Sequence, residues 1–188
     1  MEMYILAQNV VETLKTRGLR VAFAESCTGG MLAAAITSVP GSSAVLDMSI
    51  ITYANSAKIE YTDVTQNDLD IQGAVSERIA RLMASGIRRR SGADIGVGIT
   101  GIAGAFNSGC VSQPSQGEQS PPFDTGASVE KPVGTVYIAI DSERSSEVRH
   151  CVFAGDRQSV REQTTQFTLE VLHDYSLRQT PCKSGQEK

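Results

Sequence analysis

Two hydrophobic periods take turns along the first half of the chain. Ile5, Val10, Val11 and Leu14 recur at helical spacing, and Lys15 and Arg17 stand just ahead of Gly18, which predicts an amphipathic helix ending at a glycine stop. A compact apolar run over residues 19–24 predicts the first strand. Residues 31–37, rich in alanine and leucine, predict a helix lying close on a sheet and ending before Pro40-Gly41. β-Branched and apolar residues over 45–53 predict a second strand, and the polar stretch 55–60 a short helix or turn that places Lys58 soon after it. Ser76 has the character of a helix cap, and Ile79, Leu82, Met83, Gly86 and Ile87 fall on one face of the helix it would start. A third apolar run, 93–100, leads into Gly101-Ile102-Ala103-Gly104.

The second half has a different rhythm. Residues 105–130 turn to Ser, Gln, Pro and Gly with almost no aliphatic side chains, which predicts a flexible surface insertion. Residues 134–140 and 147–153 predict two strands joined by a polar turn as a hairpin. Asp156 then predicts the cap of a long last helix with Val160, Phe167, Leu169, Val171 and Leu172 inside, followed by a frayed polar tail at 178–188. No internal repeat is visible. Strands alternating with helices first and a hairpin late predict an α/β fold: a three-layer α/β/α sandwich with a mixed sheet, as a single domain over 1–177. Ligands of such sheets gather at strand ends where connections diverge, so the turns after Ala24, Tyr53 and Thr100 are expected to line one cleft.

Composition narrows the partners. A chain of 188 residues can bury a core without metal or disulfide support. With 17 basic and 21 acidic residues the net charge is −4, which argues against a nucleic-acid partner. The one basic cluster, Arg88-Arg89-Arg90, ends a predicted helix, where positive charge complements the helix dipole. No apolar run approaches the roughly 20 residues that span a bilayer, and no signal-type start is present, so no membrane partner and a cytoplasmic location are expected. Cys27, Cys110, Cys151 and Cys182 lack paired spacing, and free thiols are expected in place of a disulfide framework or a zinc site.

Candidate chemistry concentrates in Glu25-Ser26-Cys27-Thr28-Gly29-Gly30, a hydroxyl-rich turn between a strand and a helix. Backbone N–H groups at Thr28, Gly29 and Gly30 could receive a phosphate or a developing oxyanion beside a nucleophile. The plainer alternative makes Ser26 or Thr28 an N-cap and the glycines turn formers. A serine nucleophile needs a proton acceptor, and His150 and His173 lie away from the glycine turns. Lys58 is a substitute if burial lowers its pKa, with Tyr53 near it to hydrogen-bond the amine or the serine; a solvated lysine and a sheet-end tyrosine are the competing reading. Thr100 and Gly101 offer a hydroxyl and a close-approach backbone, for a phosphate or for chain crossing. Arg157 and Arg161 stand one helical turn apart and could clamp a phosphate or pair with surface carboxylates.

A series of segments in order, from Val21-Ala22-Phe23-Ala24-Glu25-Ser26-Cys27-Thr28-Gly29-Gly30 through Ile51-Thr52-Tyr53-Ala54-Asn55-Ser56-Ala57-Lys58 and Thr100-Gly101-Ile102-Ala103-Gly104 to Gly155-Asp156-Arg157, resembles the C-terminal domain family of the competence/damage-inducible protein CinA. Stand-alone members of that family act as nicotinamide mononucleotide deamidases. The resemblance implies hydrolysis of a nucleotide carboxamide with no cofactor and no metal, a small-molecule mononucleotide substrate, and a homo-oligomer. It implies Ser26 as nucleophile, Lys58 as general base, Tyr53 as a supporting hydroxyl, and Thr100 and Arg157 as substrate contacts. Cys27 is a minor alternative nucleophile. Larger members carry an N-terminal pyrophosphatase-type domain, and a chain without it is expected here. The departure is the 105–130 stretch, where Ala105 stands in place of the family's proline.

Overall fold

The computed structural model describes residues 2–104 and 131–179. The expected insertion at 105–130, with Cys110, lies outside them, as does the tail from 180 onward with Cys182. Helix α1 (Glu2–Arg17) buries Ala7, Val10, Val11 and Leu14, a stripe at i, i+3, i+4 and i+7. Ile5 falls off that stripe and is exposed. Strand β1 (Val21–Glu25) is buried at all five positions. Then come α2 (Met31–Thr37), β2 (Leu46–Ile51) and α3 (Asn55–Tyr61).

Helix α4 (Gln66–Gln72) was not anticipated from the pattern. Its start is a capping box, in which the Thr65 hydroxyl accepts from the Asp68 N–H and the Asp68 carboxylate accepts from the Thr65 N–H. Helix α5 (Glu77–Ser91) begins as expected, with the Ser76 hydroxyl accepting from the Ile79 N–H, and ends at Gly92 in left-handed geometry. Strand β3 (Ile95–Gly101) follows. The hairpin of β4 (Thr135–Ser142) and β5 (Ser146–Val152) pairs antiparallel, and Asp156 caps α6 (Arg157–Arg178) by accepting from the Ser159 N–H at 2.8 Å. The last helix runs further than the expected tail boundary. Gln179 is itself buried, and its carbonyl accepts from the Arg17 guanidinium at 2.7 Å.

The five strands form one mixed sheet in the order β2-β1-β3-β4-β5. The first three are mutually parallel and the last two antiparallel, so the three-layer sandwich is as expected. Side chains alternate between its faces. Val21, Phe23, Ile95, Val97 and Ile99 pack with α1, α2 and α6. Ala22 and Ala24 point to the α5 side, in register with Gly96 and Gly98. A Cβ on Gly96 would overlap the Ala84 carbonyl, and one on Gly98 the Ala80 carbonyl. Small residues on this face therefore let α5 settle onto β3 at main-chain distance.

The basic cluster at the end of α5 is tied into the fold. Arg88 pairs with Asp141 at 2.7 Å, Arg89 pairs with Asp63, and Arg90 lies over the Tyr61 ring. Among the described residues no helix is long and apolar enough to cross a membrane.

Candidate active site

The carboxyl ends of β2, β1 and β3 meet at Ser26. Its own N–H donates to the Ile99 carbonyl at 3.0 Å, and the carbonyl of the preceding Glu25 accepts from the Thr52 N–H at 2.8 Å. The nucleophile candidate is thus pinned between two neighbouring strands, and only 8% of its surface is exposed.

Lys58 reaches the same point from α3. It is 2% exposed, and its Nζ lies 3.3 Å from Ser26 Oγ, 2.9 Å from the Thr52 carbonyl and 3.4 Å from the Tyr53 carbonyl. Among the described residues no carboxylate pairs with the amine. Burial therefore lowers its pKa from the ordinary 10.5 to about 8, with the nearby Cys27 opposing that shift. The geometry fits both protonation states. An ammonium donates to all three oxygens; a neutral amine donates to the two carbonyls and accepts from the Ser26 hydroxyl. The solvated-lysine reading fails, because a lysine left in water would not be among the largest fully buried side chains of the protein.

Tyr53 contributes differently from the expectation. Its carbonyl, not its phenol, faces Lys58, and the phenol oxygen accepts from Arg157 Nη2 at 2.5 Å. Both side chains of that pair are exposed and stand at the rim.

The glycine turn also departs from the expectation. Glu25 is completely buried and its carboxylate fills the start of α2. Oε2 accepts from the N–H groups of Gly30 and Leu32 at 3.0 and 3.1 Å, and Oε1 from the N–H of Ala33 at 3.0 Å and the Ser49 hydroxyl at 3.3 Å. The Gly29 N–H donates to the Ser26 carbonyl. The N–H groups of Gly29 and Gly30 are thus already engaged, and the helix start expected to receive a substrate anion holds the chain's own carboxylate. Neither Ser26 nor Thr28 is the cap; Gly30 occupies that position in left-handed geometry.

Thr100 is buried, and its hydroxyl donates to the Ala74 carbonyl at 2.7 Å. A Cβ on Gly101 would press on Val136, the Thr135 carbonyl and the Cys27 sulfur, which favours close chain crossing for this glycine. Cys27 is buried and its thiol is pushed up to about 12, first by desolvation, so it carries no thiolate near neutrality. Thr28 is fully buried, its hydroxyl has no hydrogen-bond partner among the described residues, and its carbonyl accepts from Arg161.

Sequence reasoning missed Glu25 and the destination of Arg161. A glutamate closing a continuously apolar strand was the available signal for the first, since a buried carboxylate must find donors. His150 stacks on Tyr137 with ring centroids 4.5 Å apart, and His173 lies near Asp174; both stay apart from Ser26. No group of three or more His, Cys, Asp or Glu among the described residues could hold a metal ion. A cavity of about 340 Å³ lined by Leu19, Arg88, Asp94, Ser142 and Gln179 opens at the opposite end of β1 and β3.

Comparisons with known proteins agree with this architecture. Residues 3–114 and 124–176 match the family model of the CinA C-terminal domain. A CinA-like protein of Anaeromyxobacter sp. (strain K) is 45% identical over 167 residues, which is 89% of this chain and 36% of that protein. A putative competence-damage inducible protein of Moorella thermoacetica is 42% identical over 159 residues, 85% of this chain and 34% of that protein. The chain thus spans about a third of the length of these curated relatives. Among solved structures, the competence/damage inducible protein CihA from Agrobacterium tumefaciens superposes with a TM-score of 0.80 at 34% identity, covering 95% of this chain and 97% of that one. A CinA superfamily protein from Klebsiella pneumoniae gives 0.78 at 31% identity over 94% and 99%.

Proposed function

This chain belongs to the CinA C-terminal domain family, and on that premise we propose that it hydrolyses the carboxamide of nicotinamide mononucleotide to a carboxylate, releasing ammonia, through a serine–lysine pair. The observation that carries the reading is Lys58 Nζ, buried with no counter-ion among the described residues and 3.3 Å from Ser26 Oγ. Amides are poor electrophiles, so the hydroxyl must lose its proton as it attacks, and the amine must be neutral to take it. Burial supplies that neutral fraction.

The steps follow from one proton acceptor used twice. Lys58 takes the proton of Ser26 as Oγ bonds to the carboxamide carbon, and the carbonyl oxygen becomes an oxyanion. Collapse breaks the C–N bond, and Lys58 returns the proton so that ammonia departs, leaving an ester on Ser26. Water then loses a proton to Lys58 and adds to the ester carbon; the second collapse frees the carboxylate product and reprotonates Ser26. The carbonyls of Thr52 and Tyr53 hold Nζ in line throughout. Arg157 and the Tyr53 phenol, paired at the rim, suit contact with the nucleotide's phosphate and sugar.

The experiment is ammonia release from nicotinamide mononucleotide by wild type, Ser26→Ala and Lys58→Ala. Both variants are expected to fall by about 10³-fold or more in kcat. Full activity in either variant refutes the paired mechanism, and mononucleotide binding without any ammonia from the wild type replaces the enzymatic reading with a binding one.

A further inference from the structure

Three parallel strands end side by side at the site in the spatial order β2-β1-β3, and Ser26 stands just past the middle one. Tyr53 lies two residues past the end of β2, and Gly104 three residues past the end of β3. Arg157 belongs to the β3 side, because a Cβ on Gly104 would sit 3.1 Å from its own Cβ. The hydrogen bond from Arg157 Nη2 to the Tyr53 phenol, at 2.5 Å, therefore runs from one flank of Ser26 to the other. Two strand spacings separate β2 from β3, about 10 Å, and two long side chains reaching toward each other bridge that gap. Arg161 seats α6 over the same turn, its Nε and Nη2 donating to the carbonyls of Cys27 and Thr28 at 3.1 and 2.9 Å. Ser26 and Lys58 are almost wholly covered beneath.

This bridge is made of exchangeable parts. Its acceptor is a neutral phenol, and among the described residues Arg157 pairs with no carboxylate. Tyr53 is 60% exposed and Arg157 is exposed too, so opening breaks one hydrogen bond and no core packing. A phosphomonoester competes for the guanidinium with full negative charge and a bidentate geometry, which a single phenol oxygen cannot match. A nucleoside lacking the phosphate has nothing to offer in exchange.

We propose that the hydrogen bond between Arg157 and Tyr53 is a strap across the mouth of the site that the substrate's own phosphate opens, so that entry to Ser26 is selective for phosphorylated nucleotides. The proposal rests on the serine–lysine reading above. Arg157 then acts with opposite signs on two substrates: it favours the phosphorylated one by binding it, and hinders the unphosphorylated one by holding the strap shut. One such hydrogen bond leaves the mouth open in about one molecule in ten, and kcat/KM for a substrate unable to open it falls by that fraction.

The test measures ammonia release from nicotinamide mononucleotide and from nicotinamide riboside, at rising inorganic phosphate and constant ionic strength, by wild type, Arg157→Ala and Tyr53→Phe. Wild type should hydrolyse the riboside faster as phosphate rises, by up to about tenfold in kcat/KM, while the same phosphate competitively inhibits hydrolysis of the mononucleotide. Arg157→Ala should gain about tenfold on the riboside without phosphate, and lose at least about tenfold on the mononucleotide. Tyr53→Phe keeps the guanidinium and lacks the strap, so phosphate should still inhibit with the mononucleotide and no longer accelerate with the riboside. A riboside rate indifferent to phosphate in wild type, no riboside gain in Arg157→Ala, or phosphate acceleration that persists in Tyr53→Phe overturns the strap and leaves the serine–lysine reading standing. A wild type that releases no ammonia from the mononucleotide overturns both.

Discussion

The burial of Lys58 makes a quantitative prediction about pH. With its pKa lowered from 10.5 to about 8 by desolvation, the amine is neutral in about one molecule in ten at pH 7, against about one in 3,000 for an ordinary lysine. The competent form is therefore about 300-fold more abundant than solvent exposure would allow. In the assay, kcat/KM for ammonia release should climb about tenfold per pH unit below an apparent pKa near 8, then level off. Lys58→Arg keeps the positive charge and cannot titrate, so its residual rate should be flat across the same range. Stability carries the same signature. The folded pKa is below the unfolded value, so between about 8 and 10.5 the unfolded chain binds a proton that the native one does not. Unfolding free energy should rise by about 3 kcal/mol across that window and show no Lys58 contribution to its slope below it. Urea unfolding of wild type and Lys58→Met near pH 8 and near pH 10 measures the difference. A flat wild-type rate profile from about pH 6 to about pH 10, or an inflection that survives in Lys58→Arg, refutes the reasoning.

Three further outcomes follow from the surroundings of the site. Cys27, buried with its thiol pushed up to about 12, should resist iodoacetamide in the native protein and react only once unfolded, and Cys27→Ala should keep kcat within a few-fold; peptide mapping that finds Cys27 alkylated in the folded state contradicts this. Glu25→Gln should cost about 2–3 kcal/mol in chemical denaturation, because either orientation of the amide turns an NH2 group toward a main-chain N–H that now has an acceptor; an unchanged midpoint would mean the carboxylate is dispensable. Gly134→Ala should destabilise by about 2 kcal/mol or more, since φ is 94° there and the added Cβ would overlap the Phe153 carbonyl; denaturation curves matching wild type would count against that packing.

The sequence pattern carried the layer order well because each long element announces its own period. The stripe of α1, the capped face of α5 and the hairpin were legible for that reason. Helix α4 was not, since its single buried residue, Leu69, makes no stripe; the Thr65 to Asp68 spacing was the one local clue. At the site, Ser26 and Lys58 were identifiable as residue types, and the resemblance paired them. Their contact depends on how far α3 turns back over β1, which no local pattern encodes. The roles of Glu25 and Arg161 were hidden for a related reason. Each spends its charge on main-chain groups, which every residue possesses and no motif can advertise.

The face where α5 meets β3 limits how this protein can change over generations. A crowded side-chain contact can usually be relieved by trimming its neighbour, and volume can be traded in that way among Phe23, Val97 and Leu32 on the other face. At Gly96 and Gly98 the opposing atoms are the carbonyls of Ala84 and Ala80, which no substitution removes. Compensation is unavailable there, so these two positions are closed to every other residue unless the helix lifts off the sheet. Attempts to diversify or stabilise the domain have free play on the α1, α2 and α6 side, and β3 with α5 must be inherited together.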